Sequence, residues 1–378
     1  MRLGIDASNI RGGGGYTILA ELLKQYKLED FDITEITIWA NSEISAKLIE
    51  LNSSLNIISV RELDSDFFAR FKWRQFKFPE VARQSVDLLL IPGGMPIVKG
   101  LKNVSMSLNL LPFMPNEYKR DSSFVQNLKY TILRRLNYNS LVQANGTIFL
   151  NENARNVIYK GKKIDQPYAI CPLGVDKRFF LNNRKIKTNK NYSFEKPFRF
   201  IYVSTVNSYK HQWVVTSAIK RARDDGYPVT IDFIGGAYPK FLTRLKKSIA
   251  EAGGDKSGSK YLGKVPFETL HTYYHQADGF IFASSCENMP NIGIEAMAAA
   301  LPMASSNLEP MKSLFKNCSL FFDPENAETI TWAIKQIFDD AGLRKKISNA
   351  AYSNAQSYSW KNFYETSFKF MRKIYLQP

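Results

Sequence analysis

Short apolar runs that alternate with amphipathic helical patterns, twice over in one chain, constrain the fold more than any single residue. RLGIDA (2–7) reads as a buried strand, SNIRGGGG (8–15) as a loop and YTILAELLKQYKL (16–28) as a helix with apolar residues at helical spacing. ITEITIWA (33–40), LNIISV (55–60), DLLLIPGG (87–94), VSMSLNLLPF (104–113) and GTIFLNENARNVI (146–158) continue the series. The stretch LNNRKIKTNKNYSFEKP (181–197) is polar and basic, and after it the pattern restarts. FRFIYVST (198–205), VTIDFIGG (229–236), KYLGKV (260–265) and DGFIFASS (278–285) are strands, with helical segments between them. Such alternation predicts parallel sheets. At 378 residues the chain exceeds the size of a single core, so two doubly wound α/β domains follow. Ligands of that architecture bind at the carboxyl edges of the strands.

Composition narrows the partners. Cys171, Cys286 and Cys318 are too few and too scattered for a disulfide framework or a C-x-x-C metal site, which suits a reducing cytosol. Asp6 interrupts the N-terminus before an apolar run develops, so no signal peptide is expected there, and no run reaches the ~18 apolar residues of a spanning helix. The net charge of +16 predicts attraction to phosphates, nucleic acid or an anionic membrane surface.

The segment CENMPNIGIE (286–295) holds the most chemistry. Asn288 can cap a helix, Pro290 suits its first turn, and Pro302 stops it. Glu287 and Glu295 would stand roughly 12 Å apart if the stretch were all helical. That is too far for two carboxyls working on one glycosidic bond, which need about 5–9.5 Å. Two acids flanking a helix N-terminus suit a longer ligand with hydroxyls at both ends and phosphate in the middle, the shape of a nucleotide-sugar. A Glu beside a cap plus a surface helical Glu is the plainer reading of the same spacing.

The run SSCENMPNIGIEAMAAALPMASSN (284–307) resembles the signature of family 4 glycosyltransferases, retaining enzymes of the GT-B fold, and in particular bacterial polysaccharide-assembly mannosyltransferases. The resemblance extends through PLGVDKRFF (172–180), YVSTVNSYK (202–210), YLGKV (261–265), LFFDPENAETI (320–330) and NIRGGGGYTILAELL near the start. It implies two Rossmann-like doubly wound domains facing a central cleft. By the same resemblance Glu287 would hold donor-sugar hydroxyls and Glu295 the ribose hydroxyls. The backbone of Met289, Pro290, Asn291 and Ile292 would approach the diphosphate and sugar, and Lys210 would neutralise the leaving diphosphate. Thr205 and Gly263 complete the implied donor set. The family usually has arginine at the position of Thr205, histidine near Leu108 and Asn109, and often glycine at Ala300. Asn109 therefore becomes the residue to test beside Glu287 and Lys210 as catalytic. Gly13, Gly14 and Gly15, between strand and helix, either bring backbone N–H groups to a phosphate or sugar or form a plain flexible turn.

Four further features follow. FFARFKWRQFKF (67–78) interleaves six aromatics with four cations, so Phe71, Lys72, Trp73, Arg74 and Lys77 either meet an anionic membrane and acceptor or pack their rings inward. KYTILRRLNYNSLV (129–142) is a second basic amphipathic stretch. The DSD at 64–66 reads as a solvated helix start, and His271 with His275 as a packing pair in place of metal ligands.

The expected domains are 1–180 for the acceptor, a linker at 181–197, 198–356 for the nucleotide-sugar, and a helix over 357–378 crossing back to the first domain. The expected function is transfer of a sugar, with GDP-mannose favoured over a UDP-sugar, to a lipid-linked or oligosaccharide acceptor. The expected place is the cytoplasmic face of the cell membrane, with no cofactor, metal or nucleic acid. The alternatives are a GT-B protein that binds nucleotide-sugar or a partner without turnover, and a nucleotide-sugar epimerase.

Overall fold

The computed structural model describes residues 1–378 except 27–29, 53–54, 95–96 and 163, so the end of the helix expected over 16–28 lies outside the described residues. The chain divides into two compact units, Met1–Gly174 with Trp360–Pro378, and Val175–Ser359.

The first unit holds a seven-stranded parallel sheet built from β1 (Arg2–Asp6), β2 (Glu35–Ala40), β3 (Asn56–Ser59), β4 (Leu88–Pro92), β5 (Lys102–Met106), β6 (Gly146–Phe149) and β7 (Tyr168–Ile170). Their order is β3-β2-β1-β4-β5-β6-β7. β4 is buried at every position, as a central parallel strand covered on both faces must be. The strand expected over 104–113 stops at Met106, and Leu111–Phe113 form a 3-10 turn around Pro112, which has no N–H to give a ladder.

The second unit holds a six-stranded parallel sheet of β8 (Phe198–Val203), β9 (Val229–Ile234), β10 (Ser259–Gly263), β11 (Gly279–Phe282), β12 (Met303–Ser306) and β13 (Ser319–Phe322), in the order β10-β9-β8-β11-β12-β13. In each sheet the strand order reverses direction after the first three strands, the switch point beside which ligands bind in open α/β sheets.

The unit boundary falls at residue 174, earlier than the 180 expected. Phe179 packs its ring against Phe267 and Tyr274, with centroids 5.9 and 5.4 Å away. Arg184, expected in a linker, is a clamp: its guanidinium donates to the carbonyls of Tyr274, Ala277 and Ala299 at 2.6–2.8 Å. Burial pushes its pKa down to about 10. The terminal helix Trp360–Leu376 belongs to the first unit, where it buries Phe368, Met371 and Ile374, and Lys102 Nζ donates to the Tyr375 carbonyl at 2.8 Å. Residues 357–359, expected with that helix, stay with the second unit.

Candidate functional site

In the second unit two loops meet at the carboxyl ends of β8 and β11. β8 is followed by a 3-10 turn, Ser208–Lys210, then His211 in the left-handed region (φ 50°), then the helix Gln212–Asp224. Tyr202, fully buried on β8, donates its hydroxyl to the Lys210 carbonyl at 2.6 Å and so fixes the turn. After β11 the loop carrying Glu287 is pinned to that turn. Ser285 N donates to the Tyr209 carbonyl at 2.9 Å, and the His211 imidazole Nε2 lies 3.0 Å from the Ser285 hydroxyl. Ser306 on β12 donates to the Ser284 carbonyl at 2.6 Å and ties the loop from below.

The consequence is an ion pair between Lys210 Nζ and Glu287 Oε1. Lys210 is only 7% exposed, so its ammonium is held inside the site and not in bulk solvent. Its ammonium also lies 5.2 Å from the ring centroids of Tyr209 and Phe282. Burial, reinforced by the Glu287 charge, drives the Tyr209 phenol well above its ordinary value and keeps it protonated.

The next helix runs Asn291–Ala298 and is flanked by Pro290. Asn288, the expected cap, does not cap it; among the described residues no side chain does, because proline, which has no side-chain acceptor, occupies the cap position with ψ 84°. Asn291 Oδ1 is buried and has no hydrogen-bond partner among the described residues. Met289 is buried, while Asn291 and Ile292 are half-buried. Gly293 is required by close approach, since a Cβ there would lie 2.2 Å from the Phe315 ring.

Glu295 is not a surface residue. It is 8% exposed, and its Oε2 accepts from the Tyr274 hydroxyl at 2.8 Å. Burial pushes its carboxyl up to about 7, against the lowering effect of the tyrosine bond. Tyr274, which the sequence reading passed over, also reaches the Ile292 carbonyl at 3.1 Å and couples the acid to the start of its own helix. Thr205 is exposed, and its carbonyl accepts from Gln212 Nε2 at 3.3 Å. Gly263 closes β10 at φ 77°.

In the first unit Gly13–Gly15 are not loop. They form the first turn of the helix Gly13–Lys24, with Gly12 at φ 131° and Gly13 at φ 59°. A Cβ on Gly12, Gly13 or Gly14 would meet nothing within 4 Å, so backbone conformation requires glycine at 12 and 13, and crowding does not. Among the described residues no side chain caps this helix either. Asn109 is exposed and accepts from Leu111 N at 3.0 Å, capping its own turn.

The aromatic-basic stretch 67–78 divides in two. Trp73 is buried against Phe78 at 5.1 Å, and Arg74 turns inward to donate to Asn9 at 2.6 Å beside Asp6 at 3.6 Å. Lys77 pairs with Glu62 at 2.8 Å. Trp73 and Arg74 are therefore corrected from surface to interior positions. Phe68, Phe71 and Phe76 face outward, 79%, 46% and 72% exposed, and Lys72 is exposed beside them. The break arises from the π-helical turn Trp73–Lys77, which rotates the side-chain register. Helix Phe124–Gln143 likewise exposes Phe124, Val125, Leu128 and Ile132. In the DSD run Asp66 caps a helix through Ala69 N, and His275 Nε2 lies 3.0 Å from the Phe179 carbonyl.

Residues 183–354 match the family model of glycosyl transferases group 1. An uncharacterised glycosyltransferase of Methanocaldococcus jannaschii is 27% identical over 154 residues, 36% of this chain and 40% of that protein. The O-antigen chain mannosyltransferase B of Escherichia coli is 28% identical over 136 residues, 36% of this chain and 35% of that protein. The chain thus spans well under half the length of these curated relatives. Among solved structures, HepE of Anabaena in complex with UDP superposes with a TM-score of 0.73 at 14% identity, covering 97% of this chain and 98% of that one. The likeness shows the fold, GT-B with two Rossmann-like domains.

Proposed function

With residues 183–354 matching the family model of glycosyl transferases group 1, we propose that this protein is a retaining hexosyltransferase that uses a nucleotide-sugar. The observation that carries the reading is the Lys210–Glu287 pair, with the buried Glu295 beyond it, around a helix start that no side chain among the described residues caps.

In this reading the diphosphate lies against the first turn of the helix Asn291–Ala298, where the backbone of Met289 to Ile292 and the positive end of the helix dipole favour it. Lys210 leaves Glu287 to neutralise the departing phosphate, and Glu287 accepts hydrogen bonds from the sugar hydroxyls. Glu295, once ionised, accepts from the ribose hydroxyls. The bond from the anomeric carbon to phosphate breaks as the acceptor oxygen attacks on the same face. The acceptor's proton passes to the departing phosphate oxygen. This route needs no strong protein base, which accommodates Asn109 in place of histidine, and no metal enters it.

GDP-mannose is the first donor to test, because one matched relative is named a mannosyltransferase, and a UDP-sugar is second, because HepE holds UDP. The acceptor is a lipid-linked or growing saccharide of a surface polysaccharide, met at the cytoplasmic face of the membrane. The outward rings Phe68, Phe71 and Phe76 with Lys72 support that location. Among the described residues no helix is long and apolar enough to cross a membrane.

Thermal-shift screening against a panel of nucleotide-sugars tests the donor, since a specific ligand raises the melting point by mass action. One panel member should stabilise the wild type and, with an acceptor, be consumed; Glu287→Gln should keep the shift and lose transfer. A panel without any shift overturns the reading. A binding protein without turnover is favoured by Thr205 in the arginine position, and shows as a shift without transfer. An epimerase converts its donor with no acceptor present.

A further inference from the structure

Parallel sheets in doubly wound domains are covered on both faces and read as continuous apolar strands. β9 and β10 break that rule at their amino ends, opposite the edge that carries Lys210 and Glu287. Thr230 and Asp232 are half-buried and Lys260 is exposed, alternating with buried Val229, Ile231 and Ser259. The register sets Arg199 of β8 beside Thr230, and Asp232 beside Lys260. Four polar side chains therefore share one face across three neighbouring strands, about 4.8 Å apart from strand to strand. With Phe194 and Arg223 they line a cavity of about 710 Å³.

These groups are under-used by the protein itself. Arg199 Nε is buried without a hydrogen bond, and its ion pair with Asp232 Oδ2 is long, 3.8 Å. Among the described residues no side-chain hydrogen bond engages Thr230, Asp232 or Lys260. Buried polar atoms are normally paired, so Arg199 Nε, left without a hydrogen bond among the described residues at a cavity that Thr230, Asp232 and Lys260 also line, calls for a ligand with its own acceptors.

The lining selects the ligand class. Four basic and four acidic side chains surround the cavity, so a polyanion or polycation gains no net attraction. A polyhydroxylated neutral molecule can give a hydroxyl proton to a carboxylate and accept one from a guanidinium at the same time. Phe194, half exposed with the Arg223 guanidinium 5.0 Å from its centroid, adds an apolar ring beside the polar array. We propose that this cavity binds a neutral oligosaccharide, at the opposite end of the strands from the transfer site. The assignment rests on the glycosyltransferase reading, which places a saccharide chain within reach.

Native electrophoresis through gels containing mannan, dextran or galactan tests it with the full chain. At least one polymer should retard the wild type. Asp232→Ala and Lys260→Ala should each weaken that retardation about tenfold, the loss of one charge-assisted hydrogen bond. Glu287→Gln should be retarded as much as the wild type, each measured against its own mobility in a gel without polymer. Near-UV circular dichroism on both cavity variants checks that they fold, and Lys260, being exposed, can be removed without touching the core. Retardation by none of the three polymers, or retardation unchanged in both cavity variants, or retardation abolished by Glu287→Gln, each overturns the proposal. The nucleotide-sugar shift measured on the same samples separates the two readings. A donor shift without polymer retardation removes the cavity site alone, whereas polymer retardation without any donor shift keeps the site and removes the transferase.

Discussion

Glu295 owes its altered proton affinity chiefly to burial, and this makes pH a probe of its role. Its pKa rises from 4.5 unfolded to about 7 folded, so its contribution to stability is fully present below about 4.5 and is lost as pH climbs through 7. Glu295→Gln should therefore gain on the wild type at pH 8, by on the order of 3 kcal/mol at most, and the gain should vanish below pH 4.5 in denaturant titrations. Nucleotide affinity should move the other way, rising in the wild type from pH 6 to 8 as the carboxylate forms, and staying flat in the variant. Ala300 offers a second test. It sits at φ 51°, a region where a Cβ is strained and glycine is not. Ala300→Gly should stabilise the second unit by about 1 kcal/mol, a rise of about 2–4 °C in its melting point. Glu287 and Glu295 were legible because the residues around them announce a strand end, a proline and a helix. The pairing of Glu287 with Lys210 was not, because it joins positions 77 apart in the chain. Nor was the tyrosine holding Glu295, since nothing local distinguishes Tyr274 from Tyr273.

Among the elements, the alternation of strands and helices was readable wherever a run of four or more apolar residues occurs, as in β4, β8 and β11. β7, β12 and β13 have only three or four residues and little local pattern; their pairing with longer neighbours defines them. The aromatic-basic stretch shows a different limit. Its composition gave two faces, but the π-helical turn decides which rings belong to which, and that shift is invisible to a count at 3.6 residues per turn. The membrane prediction therefore rests on the outward rings. Replacing Phe68 and Phe76 with serine should weaken binding to vesicles containing anionic lipid by about tenfold or more, because each buried ring is worth at least about 1.5 kcal/mol. Replacing Trp73 should instead lower the melting point of the first unit. Sedimentation with vesicles distinguishes the two, and wild-type binding that ignores both anionic lipid and salt would overturn the membrane role of these rings.

At the scale of the whole molecule, the second unit is inserted into the first: the chain leaves the first unit at Gly174 and re-enters it at Trp360. Removing residues 360–378 strips Phe363, Phe368, Met371 and Ile374, all buried, from the first unit. At about 1.5–3 kcal/mol for each, the loss rivals the entire stability of a domain. The truncated chain should keep a cooperative transition for the second unit and lose the one for the first, which calorimetry resolves. The same connectivity sets an order on synthesis. Residues 1–174 emerge from the ribosome first yet cannot close their core until the final helix follows, so the half of the protein made later is the half that matures earlier.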